Sequence, residues 1–386
     1  MMKIIIGGDV APTKTNEDLF CNGEIEKLIG LDMLKILYGA DIRIFNIEVP
    51  LTDCNKSIKK CGPALAAPTK TILGIKKFAP DLVTLANNHC MDKGIEGLRT
   101  AMQLLKENGI VSIGAGENIF IASKPHILEC EGVKVGVYAC AEHEFSIATK
   151  NSGGANPFNP YESLDHINEL STKCDFVIVL FHGGKVGYQY PTPELQKVCQ
   201  KMVDKGANLV VLQHSHCVGC YEKYNDGTIV YGQGNLLFDY GEDRNPKWDE
   251  GLLIQIEIDE ERKDIHFVPV ERKNNLVRIA LKDKGDNILE AFYKRSKEIE
   301  TTGFIQEEYK KYVKNVYFSL YGRMLGKFTN NIVFFTIEKL TRGKIWQFIF
   351  KDSDYMLIWN YLNCESIREV LSEGAISQVH LIEGED

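Results

Sequence analysis

The chain has 386 residues, 44% of them hydrophobic, and a formal net charge of −8. That length holds one large domain, or a large domain with a smaller companion, and that composition excludes a disordered chain. The negative balance argues against wholesale nucleic-acid binding.

Met1-Met2-Lys3-Ile4-Ile5-Ile6-Gly7-Gly8-Asp9 is a short apolar run that ends on an acid. It reads as a first β-strand rather than an export signal. No apolar stretch approaches the roughly 20 residues of a spanning helix, so a cytoplasmic protein with no transmembrane segment is expected. Further strands are expected over 42–47, 82–86, 133–139, 176–181, 207–212 and 228–231. The pair 251–258 and 265–270 reads as antiparallel. Most of the early runs are continuous in Ile, Val and Leu, as strands buried on both faces are.

Helices fall between them. In 94–108, Leu98, Met102 and Leu105 recur at three-to-four spacing and the pattern stops before Gly109. The stretch 193–205 opens with Pro193 in its first turn and closes at Gly206, both favoured positions. Segments 11–22, 152–160 and 240–249 are rich in Gly, Pro, Asn and Asp and read as loops. The fold class that follows is α/β with flanking helices over 1–272, and a mainly helical C-terminal region over 273–386 packed on it.

Within that region, 284–351 is basic on balance and dense in aromatics: Phe304, Tyr309, Tyr312, Tyr317, Phe318, Tyr321, Phe328, Phe334, Phe335 and Trp346. The stretch 352–386 is acidic. Core aromatics under solvated charged faces account for this; a docking face for an anionic polymer, a lipid surface or a partner is the alternative. Of the eleven cysteines, Cys217-Val218-Gly219-Cys220 has CxxC spacing without a second pair to complete a zinc site, so reduced, buried thiols are expected.

Ligand-type residues collect at strand ends. Asp9 follows Gly7-Gly8, and Glu48 follows Phe45-Asn46-Ile47. Asn88 and His89 follow Leu85-Ala86-Asn87. His182 follows Val177–Phe181. His214 and His216 follow Val210-Val211-Leu212. Each alone has a plain structural explanation, such as a cap, a turn or a satisfied histidine. Together, at one edge of a sheet, they match what a two-metal hydrolytic site needs: oxygen and imidazole ligands from several strands, a carboxylate able to bridge, and a proton donor.

This order of motifs resembles the calcineurin-like metallophosphoesterases, and most closely their CapA branch, named for capsule and poly-γ-glutamate synthesis. The match lies in Gly8-Asp9, Asn46-Ile47-Glu48-Val49-Pro50-Leu51, Leu85-Ala86-Asn87-Asn88-His89, His182-Gly183-Gly184, His214-Ser215-His216 and Gly234-Asn235-Leu236-Leu237-Phe238. It covers residues 3–239 and little of the tail. The resemblance implies metallophosphatase-like layered sheets and two divalent ions, with Mn, Fe or Zn suited to the ligand types. It implies that Asp9 and His216 serve one ion, that Glu48 bridges, and that Asn88, His182 and His214 serve the second. His89 would be the proton donor. Two departures stand out. The superfamily's Asp-x-His has Ala11 in place of the histidine, and its second acid is Glu48 rather than Asp. The first metal position therefore has fewer protein ligands.

Substrate-side candidates are Lys60 on the loop after the Glu48 strand, Glu142 and Glu144 after the strand near 139, and Asn46 as an orienter of Glu48. Lys60 is equally readable as a solvated loop lysine and Asn46 as a turn residue. Gly114-Ala115-Gly116 resembles a phosphate loop only superficially. Three functions stay open. The first is a metal-dependent hydrolase acting on an anionic phosphoester in capsule, poly-γ-glutamate or exopolysaccharide production. The second is a γ-glutamyl amide hydrolase or transferase using the same site. The third is a non-catalytic capsule-assembly subunit. The expected partners are an anionic small molecule or polymer as substrate and other capsule or exopolysaccharide synthesis proteins, without nucleic acid.

Overall fold

A computed structural model describes residues 1–363 except 14, 61, 239–244, 260–261, 274–275, 325–331 and 343–344. The first half of the expected loop 240–249 and the end of the acidic stretch lie outside the described residues. So do the side chains of Tyr317, Phe318, Tyr321, Phe328, Phe334 and Phe335.

The strands in chain order are β1 (Met2–Ala11), β2 (Ile42–Ile47), β3 (Leu82–Thr84), β4 (Val111–Ile113), β5 (Ala115–Gly116), β6 (His126–Cys130), β7 (Val133–Ala141) and β8 (Gly154–Ala155). They continue with β9 (Phe176–His182), β10 (Leu209–Gln213), β11 (Tyr221–Tyr224), β12 (Gly227–Val230), β13 (Asn235–Phe238), β14 (Glu250–Ile258), β15 (Lys263–Lys273) and β16 (Leu276–Ile279). One sheet runs β16-β15-β14-β1-β2-β3-β4, with β13 also paired to β1; a second runs β11-β12-β10-β9-β7-β6. β1 to β4 are mutually parallel, as are β7, β9, β10 and β12. The predicted antiparallel pair is β14 with β15.

Strand alternation explains the layering. Successive side chains point to opposite faces. On β9, Ile178 and Leu180 join a core that also holds Ile4, Ile6 and Ile44 of the first sheet. Val177, Val179 and Phe181 face the other way, onto Ile167 and Leu170 of the helix Glu162–Ser171 and Met202 of the helix Pro193–Asp204. The two sheets thus share one core, and helices cover an outer face. This is the layered α/β arrangement expected from the sequence.

Several boundaries differ from the sequence reading. β1 runs on to Ala11, because Asp9 and Ala11 pair with Asn235 and Phe238 of β13; Asp9 lies inside the strand rather than after it. The expected loop 11–22 contains the helix Glu17–Asn22. The composition shift near 273 does not end the first compact unit, which extends to Gln306. There β16 pairs with β15, and Phe292 of the helix Lys282–Glu298 packs against Tyr221 and Phe267. The second unit begins at Glu307. In it, Trp346 stacks on Phe350 at 5.9 Å between ring centroids and Tyr309 on Tyr312 at 6.2 Å. Among the described residues, no helix is long and apolar enough to cross a membrane.

Gly8 is where β1 approaches the chain before β13 most closely. A Cβ there would stand 2.4 Å from the Gly234 carbonyl oxygen and 3.2 Å from the Leu236 nitrogen. Backbone atoms cannot swing aside as side chains can. Gly8→Ala should therefore destabilise the protein by about 2 kcal/mol, read as a shifted midpoint of urea unfolding. An unchanged midpoint would show that β13 yields freely at this contact.

Candidate metal centre

The parallel strands of both sheets deliver their C-terminal ends to one place, where α/β folds build sites. Asp9 comes from β1, Glu48 from the residue after β2, and Asn87, Asn88 and His89 from the turn beyond β3. His182 closes β9. His214 and His216 follow β10 with φ of +100° and +56°. Positive φ is unfavourable for residues with a Cβ. Here it turns the chain sharply enough for histidines two residues apart to serve a common centre.

Glu48 is the hub. It is fully buried, and neither carboxylate oxygen has a hydrogen-bond partner. Its Oε1 lies 3.7 Å from His182 Nε2 and 4.0 Å from His216 Nε2. Two groups of potential ligands share it: Glu48, His182 and His214, and Asp9, Glu48 and His216. Asn88 Oδ1 stands 3.2 Å from His182 Nε2, and His214 Nδ1 stands 3.1 Å from the same nitrogen. His216 Nδ1 is 3.7 Å from Asp9 Oδ2. Ligand atoms about 2.1 Å from one ion stand about 3.0 to 3.4 Å apart in octahedral or tetrahedral arrangements. His182 Nε2 meets Asn88 and His214 at such separations, while the Glu48–histidine and Asp9–His216 distances are somewhat longer; oxygen and imidazole donors around an orphaned carboxylate are of the kind that suits a divalent cation.

The electrostatics agree. Burial pushes the Glu48 carboxyl well above the usual carboxylate range, and the Asp9 charge beside it adds to the shift. Burial lowers His214 and His216 to about 4. It also lowers His182 well below the usual imidazole range, with the neighbouring histidines contributing. Neutral imidazoles are the form that binds metal.

A surrounding layer fixes the donors. Asn46 Nδ2 donates to Asp9 Oδ1 at 2.8 Å and lies 3.4 Å from His182 Nδ1. Asn46 thus steadies Asp9 rather than Glu48, the partner expected from the sequence. Asn87 Nδ2 donates to Asn46 Oδ1 at 3.1 Å and to the Ile47 carbonyl at 2.9 Å. Asn235 Oδ1 lies 2.9 Å from His216 Nδ1, which leaves Nε2 toward Glu48. Ala11, where the superfamily pattern has histidine, is fully buried beside Phe238, whose ring stands 5.2 Å from that of His216.

His89 Nδ1 is 2.6 Å from Asp92 Oδ2. Lys60 is not a solvated loop residue: its side chain is 3% exposed and its Nζ is 2.5 Å from Asp92 Oδ1. Glu142 accepts from the Gly184 N–H at 2.9 Å and so braces the turn after His182. Glu144, partly exposed, accepts from Asn88 Nδ2 at 3.3 Å and reaches within 3.8 Å of His214 Nε2. The sequence reading passed over Asp92, Asn87 and Asn235 as site residues. Asn87 and Asn235 stood inside quoted motifs. Asp92, three residues after His89, was an available signal.

The family described as bacterial capsule synthesis protein PGA_cap matches residues 3–240. The chain belongs to this family. The PGA_cap region contains every residue of the centre described above. The chain is 31% identical over 214 residues to the capsule biosynthesis protein CapA of Bacillus anthracis, covering 53% of this chain and 52% of that protein. It is 27% identical over 211 residues to the PGA biosynthesis protein CapA of Bacillus subtilis, covering 53% and 55%. It thus spans about half the length of these curated relatives. Its fold is also similar to the crystal structure of a novel phosphatase from Mycoplasma pneumoniae, with a TM-score of 0.43 and 16% identity over 71% of this chain and 95% of that one.

The buried histidines set a pH dependence for the metal-free protein. His214 and His216 hold their protons less tightly folded than unfolded, so the unfolded state takes up protons first as pH falls. Stability from these groups is present above the unfolded value of about 6.5 and declines toward 4. Glu48, shifted upward, acts in the opposite sense. With three histidines lowered against one carboxyl raised, chelator-treated protein should unfold at lower urea at pH 5 than at pH 7. His214→Gln should flatten that difference. A His214→Gln variant with the same pH difference as the unaltered protein would contradict the burial of a neutral imidazole at that position.

Proposed function

We propose that this protein is a metal-dependent hydrolase of the CapA type that serves capsule, poly-γ-glutamate or exopolysaccharide production and acts on an anionic phosphoester. The observation that supports it most is Glu48, a buried carboxylate without a hydrogen-bond donor that two groups of ligand atoms share. Asp9, Glu48 and His216 would hold one divalent ion, and Glu48, Asn88, His182 and His214 the other. Mn, Fe and Zn suit these donors. When bound, the ions polarise an anionic centre and activate water.

The chain's own residues supply the rest. Asn46 and Asn235 hold Asp9 and His216 in place. Trp248, 5.5 Å from the His216 ring, and Phe238 shield that side from water. With Nδ1 of His89 on Asp92, Nε2 is the nitrogen available to give a proton to the leaving oxygen. Glu144 orients the Asn88 amide at the partly exposed mouth. A second reading, hydrolysis or transfer at a γ-glutamyl amide, uses the same groups, and the similarity to the PGA biosynthesis protein CapA of Bacillus subtilis keeps a polymer substrate in view. Other capsule synthesis proteins are the partners this reading implies.

Elemental analysis of the purified protein tests the reading. About two divalent ions per chain are expected, and about one in each of the Asp9→Ala and His214→Ala variants. One ion or none in the unaltered protein would sink the dinuclear hydrolase. With metal in place, His89→Ala should lower turnover of a phosphoester with a poor leaving group roughly a hundredfold and spare an activated ester. Equal losses on both would remove His89 from the role of acid.

A further inference from the structure

We infer that Lys60 is a positioning residue for His89: its buried ammonium, acting through Asp92, holds the imidazole with Nδ1 committed and Nε2 free for the site. The inference rests on the reading of His89 as proton donor and deepens it.

The geometry excludes the simpler role of substrate anchor. The Lys60 side chain is 3% exposed and that of Asp92 is wholly buried. Lys60 Nζ donates to Asp92 Oδ1 at 2.5 Å and to the Asn88 carbonyl at 3.3 Å, and it lies 3.4 Å from His89 Nδ1. Two of the ammonium's three N–H groups are taken by Asp92 and the Asn88 carbonyl, and a side chain so enclosed is out of reach of a ligand arriving from solvent. Its partners are instead the backbone of a metal-ligand candidate and the carboxylate that orients the acid.

Asp92 is the joint of this arrangement. Its Oδ2 receives His89 Nδ1 at 2.6 Å and the Leu65 N–H at 2.7 Å, while Oδ1 faces Lys60. The Asp92 carbonyl accepts from the Ile58 N–H at 3.1 Å. The segment on either side of Lys60 is therefore tied to the 87–92 turn at Asp92, where Lys60 supplies a cation. Ser146 Oγ donates to the same Asn88 carbonyl at 2.7 Å. Removing the ammonium leaves a buried carboxylate without its counter-charge and frees it to rotate or to draw the loop away. The imidazole then loses the single partner geometry that fixes its tautomer and tilt.

A purely structural ion pair would lower stability and scale all activities alike. A positioning role gives a different signature. The full chain, loaded with Zn²⁺ and labelled with ¹⁵N-histidine, reads the His89 ring directly, with His89→Gln identifying its signals. The expected result in the unaltered protein is one ring state with an Nδ1–H held on Asp92; the proton given to the leaving oxygen is a second one, at Nε2. Lys60→Met should give two ring states, and Lys60→Arg should restore one. An unchanged single ring state in Lys60→Met overturns the inference. If Lys60→Met does not fold, Lys60→Gln, which keeps a donor but not the charge, is read against Lys60→Arg by the same criterion.

The kinetic arm uses p-nitrophenyl phosphate and phenyl phosphate. Lys60→Met should lower kcat on phenyl phosphate roughly tenfold and on p-nitrophenyl phosphate less than about twofold, with KM and zinc content unchanged. Equal losses on the two esters, or loss of zinc, would overturn it. If the unaltered protein hydrolyses neither ester, the proposed hydrolase fails on its own terms, while the ring signals still decide Lys60.

Discussion

Glu48 sets the terms for everything around it. Placing a carboxylate in a fully buried position without a single hydrogen-bond donor is among the costlier things a fold can do. Its immediate neighbours do not relieve the charge. Asp9 is an acid, and His182, His214 and His216 are held neutral by the same burial. A cation at this position would supply the missing counter-charge, and two groups of potential ligand atoms share the carboxylate. A cation bound there would therefore stabilise the fold as well.

That constraint explains features of the fold that would otherwise look arbitrary. Two sheets stacked on a common core bring the ends of β1, β2 and β3 against those of β9 and β10, so the ligands come from both layers. Gly8 lets β1 pass within backbone contact of the segment leading to β13, which places Asn235 against His216. The left-handed backbone at His214 and His216 is unfavourable locally and is held by the surrounding packing. Strain of this kind concentrates where geometry is functional.

Much of this was legible in the sequence, for identifiable reasons. Continuous Ile, Val and Leu runs marked the buried parallel strands, because both faces of each are covered. The ligand residues were visible because each sits directly at the end of such a run. What the sequence concealed were long-range pairings. Nothing local to Asn235 announces that it pairs with Asp9, and the short strand β13 is too brief to show periodicity. β16 hides likewise behind a change in composition that suggests a boundary, although it completes the sheet. Lys60 is the clearest case. In an irregular, lysine-rich loop a solvated side chain is the natural expectation, and only tertiary structure reveals that Asp92, thirty-two positions on, buries it.

The asymmetry of the centre bears on how its two sides divide the work. On one side, Ala11 stands where the superfamily pattern has histidine, and Phe238 and Trp248 pack close to His216; Asn46 and Asn235 hold Asp9 and His216 there. On the other, His182, His214 and Asn88 crowd within about hydrogen-bond distance of one another, and Glu144 lies at a partly exposed mouth. That side is the one where a partly exposed carboxylate, Glu144, comes to the surface. His89 reaches the centre from the turn that also carries Asn88, so the group read as acid and the ligand on the open side move together. Lys60 and Asp92 anchor that turn from behind. His89 is thus tied, through its neighbour Asn88, to the side of the centre where Glu144 is partly exposed.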